Sequence, residues 1–346
     1  MVASLPVVDI ASFLEDPTSP GGQAFVAELC EHLHTTGFVY LTGHGVDPEL
    51  DRALLDRGAE FFALPEADRR ALAIGNSAAF RGYTILGDER TQGEADWRDQ
   101  LDYGPEQVAP EPGHDGPAWL RLRGPNQWPD ALPELAPVAL EWMEAVHGVG
   151  VAVVEAIALG LGQPADRFTG GFVPDHDLHV KIIRYPVNPN ANAAQGATNQ
   201  GATNQGVGLH HDTGVATFIL QSDVAGLQVM IDGELVTAEP MPGSYILNLG
   251  AMLQAATGGY LRATPHRVFS PTERDRLSVA LFFNPTFEST FEPVELPPEL
   301  AAEAHEDLRD LHGEQIHTLF GENNLKVRLR SHPDVARNHY ADVIAD

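Results

Sequence analysis

The run Gly208-Leu209-His210-His211-Asp212, answered 54 residues after its aspartate (266 − 212) by His266, constrains this chain more than any other feature. In a strand or extended turn, side chains two apart point the same way, so His210 and Asp212 can share one metal while His211 faces elsewhere. A third ligand must then arrive from a distant strand. Two imidazoles and one carboxylate fill half of an octahedron and leave three positions open. That donor set suits non-haem Fe(II) that activates O2. Alone, a His-x-Asp pair is more often a structural histidine beside a solvated aspartate, so the decision rests on the residues beyond His266.

Ten residues on, Arg276-Leu277-Ser278-Val279-Ala280-Leu281-Phe282-Phe283-Asn284 reads as a strand. Its alternation puts Arg276, Ser278, Ala280 and Phe282 on one face and Leu277, Val279, Leu281 and Phe283 on the other. An arginine sharing a face with Ala and Phe needs an anionic partner. A guanidinium fork with a hydroxyl beside it suits a carboxylate.

With these residues in view, the chain resembles the isopenicillin N synthase-like branch of the Fe(II)/2-oxoglutarate-dependent oxygenases. The likeness runs over nearly the whole length, through Gly37-Phe38-Val39-Tyr40, Gly43-His44-Gly45-Val46, Phe61-Phe62, Leu64-Pro65, Arg81-Gly82-Tyr83 and Arg184-Tyr185-Pro186. It continues through the metal triad, Gly226-Leu227-Gln228-Val229, Asn248-Leu249-Gly250 and Arg276-x-Ser278. The resemblance implies a mainly β fold with flanking helices and a double-stranded β-helix (jelly-roll) core. It implies Fe(II) held by His210, Asp212 and His266, with O2 as oxidant. It also implies 2-oxoglutarate held at its distal carboxylate by Arg276 and Ser278, with Tyr185 at a position that often contacts a cosubstrate or substrate carboxylate. The expected reaction is oxidation of an unactivated C–H bond of a small molecule, by hydroxylation, desaturation or cyclisation, in amino-acid or natural-product metabolism. Two other readings stand beside it: an oxidase like isopenicillin N synthase, which uses no 2-oxoglutarate, and a jelly-roll binding protein without catalysis. A zinc hydrolase is disfavoured because nothing near the triad looks like a dedicated general base.

The formal charge of −28 (21 − 49) repels phosphate-rich partners and anionic membranes, and no run of Lys or Arg offsets it. A small-molecule substrate is therefore expected, with neither nucleic acid nor membrane as partner. One cysteine, Cys30, excludes an internal disulfide and fits a reducing, cytoplasmic setting. It lies on the apolar stripe Phe25, Val26, Leu29, Cys30, Leu33, as a buried bystander. The longest apolar run, Gly148 to Gly162, is interrupted by Glu155 and too short to span a bilayer.

The chain divides into an α/β region and active-site roof over 1–130, a backing helix with the jelly-roll oxygenase core over 131–290, and a helical tail over 291–346. Within the first part, strands are expected near 5–9 and 38–42, helices to about 36 and over 48–73, and mostly loop from 74 to 130. One long helix is expected from Pro133 to about Gly162, then strands at 178–185, 216–221, 226–231, 235–238, 244–248, 265–270 and 276–284. The acidic tail from Pro298 is expected to cover the cavity mouth with its last residues. Gly196-Ala197-Thr198-Asn199-Gln200 is repeated as Gly201-Ala202-Thr203-Asn204-Gln205 just before the metal motif. It reads as a mobile loop, either a tolerated duplication or a lid.

Asp175-His176-Asp177-Leu178-His179 is a rival metal cluster by composition, discounted for want of a third ligand. If Tyr185 points inward, alternation brings His179, Lys181 and Ile183 to the cavity side as well. Lys181 then either meets a carboxylate of cosubstrate or substrate, or snorkels at an edge. Phe282 is expected to form a dry wall of the site, whereas Arg184 and Phe283 face outward. The loop Gly87-Asp88-Glu89-Arg90-Thr91, after Arg81-Gly82-Tyr83, is similar to a substrate-touching loop of the bacterial ethylene-forming enzyme. Glu89 and Thr91 are therefore expected to receive a cationic or hydroxylated substrate group, with Arg81 and Tyr83 as further substrate candidates and a solvated acidic loop as the plain alternative. Thr213 departs from that enzyme's tyrosine, and Glu322 stands where it carries a substrate-binding arginine.

Overall fold

The computed structural model describes residues 4–91, 93–111, 113, 115–189, 205–304 and 316–344. The first part runs β1 (Val7–Asp9), α1 (Ala11–Glu15), α2 (Pro20–Thr35), β2 (Phe38–Thr42), α3 (Pro48–Ala63), α4 (Glu66–Ala71), β3 (Gly82–Thr84), β4 (Arg90–Thr91), β5 (Glu94–Ala95) and β6 (Asp99–Tyr103). The long α5 (Leu135–Gly160) leads into β7 (His179–Tyr185), β8 (Gln205–His210), β9 (Ala216–Gln221), β10 (Leu227–Ile231), β11 (Glu234–Thr237) and β12 (Tyr245–Leu249). Next come α6 (Ala251–Ala256), β13 (His266–Phe269), β14 (Arg276–Phe283), α7 (Pro298–Ala301), α8 (Phe320–Ser331), α9 (Pro333–His339) and α10 (Ala341–Ile344).

Two sheets carry the site. The larger has the order β1-β2-β12-β9-β14-β7-β6-β3, and the smaller β11-β10-β13-β8. Only β1 and β2 pair in parallel; the other pairs are antiparallel. Facing antiparallel sheets enclosing one apolar interior make the expected jelly roll. Strands from 1–130 continue the same sheet as those of 131–290, so the two segments form one body. The interior is filled by Ile183, Tyr185, Ile219, Leu227, Val229, Ile246 and Val268. On the outer face of the large sheet, Val180, Ile182, Phe218, Leu281 and Phe283 pack with Trp142, Val146 and Val153 of α5.

Helix boundaries follow local chemistry. Ser19 caps α2 by accepting the Gly22 N–H at 3.0 Å, and Asp47 caps α3 by accepting the Glu49 N–H at 2.9 Å; each helix then has proline in its first turn. By length and composition α5 could cross a membrane. Here it is a core helix: Leu135, Ala139, Trp142, Met143, Val146 and Val153 are buried, and Trp142 Nε1 donates to Asp51 of α3 at 2.7 Å. Tyr245 of β12 donates to the same carboxylate at 2.6 Å, fastening helix layer to sheet.

Each expected core strand is present within two residues of its expected ends. Three features differ. The stretch from 74 to 130, read as mostly loop, contains β6, whose five residues are all buried. The metal motif closes a strand of its own, β8. The first copy of the GATNQ repeat and all of the second except Gln205 lie outside the described residues, and Gln205 itself opens β8. Among the described residues the tail lines the cavity through α8, while α9 packs beside Gly75.

Candidate active site

His210 ends β8 and His266 begins β13, and the two are direct cross-strand partners. Their rings lie 4.3 Å apart. Asp212 comes two residues after His210, and its carboxylate Oδ1 lies 3.8 Å from His210 Nε2 and 3.9 Å from His266 Nε2. Two metal bonds of about 2.1 Å can span roughly 4.2 Å, so one ion reaches all three atoms.

The surroundings prepare each ligand atom. His210 Nδ1 lies 2.8 Å from the Gly208 carbonyl and His266 Nδ1 3.1 Å from that of Thr264. Each Nδ1–H donates to its carbonyl, which leaves the Nε2 lone pair facing the site. Asp212 Oδ2 accepts from Thr217 Oγ1 and, at 2.8 Å, from Asn248 Nδ2, leaving Oδ1 for the metal. The Phe38 ring packs edge-on against His266, with centroids 5.1 Å apart. Burial, reinforced by His210, pulls His266 down to about 4, so the imidazole is neutral as a ligand must be. Burial alone would raise Asp212, but His266, His210 and the two hydrogen bonds outweigh it and hold the carboxyl below its usual range. After Asp212 the chain is held by Ala251 N–H to Asp212 O (2.8 Å) and Gly250 N–H to Val215 O (2.9 Å). Gly250 approaches the Gly214 backbone so closely that a Cβ would collide with it.

Deeper in the barrel, Arg276 stands opposite Tyr185 in the β14–β7 register, with its guanidinium carbon 5.1 Å from the ring centroid. Arg276 is 1% exposed. Its Nη atoms donate to Ser278 Oγ (3.1 Å) and Gln221 Oε1 (2.9 Å), both neutral, and its Nε has no partner. No ion pair among the described residues includes it. A buried guanidinium with only neutral partners calls for an anion, and the far carboxylate of 2-oxoglutarate fits that demand. Gly226 makes room: a Cβ there would sit 2.7 Å from Arg276 Cδ.

From the triad a cavity of about 800 Å³ opens, lined by β7, β14, the β4 loop and α8. Phe282, Lys181, Glu89 and Thr91 border it, as does His211, although His211 is not one of the three clustered ligands. Lys181 lines the cavity and is paired within the protein: its Nζ lies 2.9 Å from Glu89 Oε1 and 3.9 Å from Asp102 Oδ1. Glu89 in turn is 6% exposed and pairs with Arg98 at 3.0 Å, so within the loop its carboxylate is buried and already committed, whereas Asp88 and Arg90 are exposed. Thr91 Oγ1 donates to Asp96 at 2.7 Å.

Tyr83 is displaced from the expected site. It sits in the outer layer, donating to Asp99 (2.8 Å) and packing against Phe61, and does not line the main cavity. Arg81 also lies outside the main cavity but touches its wall. Its Nη1 donates to His179 Nδ1 at 3.0 Å, and His179 Nε2 donates to Asp102 at 2.8 Å. Burial, with Arg328 nearby, holds His179 well below the usual histidine range, so the relay is between a neutral ring and two charged neighbours.

Two wall residues, Arg98 and Arg328, carry no signal that singles them out as site residues in the sequence, and neither does Asp102, which pairs with the wall residues His179, Lys181 and Arg328. Arg328 of α8 lines the cavity with its side chain 12% exposed, 3.6 Å from Asp102. Glu322 pairs with His317 at the surface (3.3 Å) and does not line the cavity. Asp102 had a legible signal of another kind: β6 reads Asp-Gln-Leu-Asp-Tyr, and its register places Asp102 opposite Lys181 and Asp99 opposite Arg184. Charge pairs of opposite sign across neighbouring strands are a sheet signature.

Comparisons with known proteins agree with this geometry. Residues 5–131 match the family model of the non-haem dioxygenase in morphine synthesis N-terminal region, and residues 177–285 that of the 2OG-Fe(II) oxygenase superfamily. The chain is 31% identical to the 2-oxoglutarate-dependent dioxygenase frbJ of Dothideomycetidae sp. (strain 11243), covering 99% of this chain and 94% of that protein. It is 30% identical to the homoarginine-6-hydroxylase 2-ODD-C23 of Glycine max, over 91% and 95% of the two chains. Among solved structures it resembles the fold of a full-length Neurospora crassa protein in complex with alpha-KG and 5-formyluracil, with a TM-score of 0.73, 24% identity and coverage of 96% and 97%.

Proposed function

The chain belongs to the Fe(II)/2-oxoglutarate-dependent oxygenases of the isopenicillin N synthase-like family, and on that premise we propose that it oxidises a small molecule carrying a carboxylate, of the amino-acid or natural-product kind, in the cytoplasm. Fe(II) with 2-oxoglutarate supplies O2-dependent oxidation of a substrate C–H bond, coupled to conversion of 2-oxoglutarate into succinate and CO2.

The chain's own residues position the reactants. In this reading, His210 and His266 present Nε2 and Asp212 presents Oδ1, with Thr217 and Asn248 fixing which carboxylate oxygen faces the metal. Arg276 and Ser278 take the distal carboxylate of 2-oxoglutarate, and the Tyr185 ring flanks the guanidinium. Phe282 and Val207 line the cavity with apolar surface, which favours excluding water from the reacting C–H bond.

The observation that carries the substrate class is that cations at the cavity share their carboxylates. The ion cluster beside the cavity brings Arg81, Arg98, Lys181 and Arg328 together with Glu89, Asp96 and Asp102, and Asp177 and Glu106 also act on Arg81. Burial lowers Arg81 only to about 10, so it stays charged at neutral pH. Burial also raises Asp96, which weakens its hold on Arg98. On the cavity side Arg328 shares Asp102 (3.6 Å) with His179 and Lys181, and a substrate carboxylate would give it a partner of its own. The volume suits a metabolite rather than a macromolecule. A relative that is a homoarginine hydroxylase supports the amino-acid end of this range. The single cysteine, buried in α2, supports a reducing compartment.

The test is succinate formation by the Fe(II)-loaded enzyme across a panel of amino acids and other carboxylic acids, each beside its amide or methyl ester. The acids are expected to be favoured, and Arg328→Gln is expected to raise KM for the acids about 10- to 100-fold while leaving the esters unchanged. Equal turnover of acid and ester, with no effect of Arg328→Gln, would remove the proposal.

A further inference from the structure

The histidine-rich run before β7 lacks a third ligand in sequence, and the fold provides two from elsewhere. His176 meets Glu144 and His147, which lie three residues apart on one face of α5, and one ligand atom from each falls within 4.8 Å of the others. His176 Nε2 is 3.5 Å from Glu144 Oε1, close to the roughly 3.3 Å that separates two donors on a tetrahedral zinc ion with bonds of about 2.0–2.1 Å. The two imidazole rings lie 4.2 Å apart.

Three further observations make this more than proximity. The His176 side chain is 8% exposed, and its Nδ1 is buried with no hydrogen-bond partner. His147 Nε2 lies 3.0 Å from the Phe172 carbonyl and donates to it, which fixes the tautomer with the Nδ1 lone pair available. The adjoining groove is strongly acidic: Glu106, Glu144, Asp175, Asp177 and Glu288 line it with Arg123 as the single lysine or arginine.

The geometry points to a second metal site, built by Glu144, His147 and His176 on the outer face of α5, that takes a divalent transition cation such as Zn(II) independently of the catalytic triad. Two imidazoles and a carboxylate suit Zn(II), and the half-exposed Glu144 leaves the fourth position to water. The ion would clamp α5 to the segment entering β7, the strand that carries His179 and Lys181 into the cavity. Its effect is on stability and on the fixing of that wall.

The test is Zn(II) titration by calorimetry with the full-length, metal-free chain in which His210→Ala and Asp212→Ala disable the triad. One Zn(II) per chain is expected, with a rise in Tm on binding. Adding His176→Gln is expected to abolish that uptake. Adding Glu144→Gln, at an exposed position that the fold does not need, is expected to weaken it about tenfold or more. Failure of the triad-disabled chain to take up Zn(II), or uptake that Glu144→Gln and His176→Gln both leave unchanged, overturns the site.

Discussion

The ammonium of Lys181 lies 2.9 Å from a carboxylate oxygen of Glu89, and both side chains are 8% exposed. This contact joins the roof loop to the jelly-roll wall: Glu89 comes from the first third of the chain, and Lys181 from the middle of β7. It also settles how the two residues divide their charge, since each is already partnered before any substrate arrives.

Removing Glu89 therefore damages the fold before it damages recognition. Glu89→Ala strands Lys181 and weakens the hold on Arg98, and is expected to destabilise the protein by about 3–5 kcal/mol in urea unfolding. The double change Glu89→Gln/Lys181→Met, which removes both buried charges, is expected to recover much of that loss. A double variant less stable than Glu89→Ala would contradict the pairing.

Arg276 acts on the cosubstrate, so its substitution separates two kinetic constants. Arg276→Gln is expected to raise KM for 2-oxoglutarate about 10- to 100-fold, the worth of a charged hydrogen-bonded pair, with a smaller fall in kcat. Arg276→Lys retains charge but loses the fork and is expected to fall between. Initial rates at varied 2-oxoglutarate decide it; an unchanged KM places the cosubstrate elsewhere.

Asn248 and Thr217 never touch the metal in this arrangement, yet they hold the idle oxygen of Asp212. Asn248→Ala or Thr217→Val is expected to weaken Fe(II) binding about 10- to 100-fold without changing thermal stability of the metal-free chain by a comparable amount. Competition with a chromogenic chelator measures the affinity. Equal affinity in wild type and both variants would mean that Asp212 needs no such support.

His179 gives the stability a pH dependence of known sign. Burial, then Arg328, depresses its folded value well below 6.5, so below pH 6.5 the unfolded chain binds a proton that the folded chain refuses. Its contribution is fully present above pH 6.5 and is lost as pH falls toward the folded value, by at most about 1.4 kcal/mol per pH unit. His179→Gln removes that proton and is expected to flatten the acid side of a stability-against-pH curve by that slope. A parallel curve would show that His179 titrates normally.

Much of the fold was legible because its signals are local. Alternation in 276–284 placed Arg276, Ser278 and Phe282 on the inner face, and the β14–β7 register then faced them with Tyr185, Ile183 and His179. The triad was legible for the same reason at His210 and Asp212. What escaped was non-local. β6 is short and set in a stretch rich in Gly, Pro and Asp, so its strand character rests on pairing with β7 and not on composition. Lys181 was placed on the correct face, but its partner Glu89 lies 92 residues away (181 − 89), a distance over which no periodicity speaks. Arg328 lines the cavity only because α8 folds back over it, and Tyr83 left the site because β3 is at the far edge of the large sheet.

The most direct test of the site is anaerobic titration of the Fe(II)-loaded protein with 2-oxoglutarate, monitored by the weak visible metal-to-ligand charge-transfer band. The band is expected in wild type, to require more 2-oxoglutarate in Arg276→Ala, and to vanish in Asp212→Ala. Iron that binds without the band, or a band that survives Asp212→Ala unchanged, would contradict the assignment of His210, Asp212, His266 and Arg276 to this chemistry.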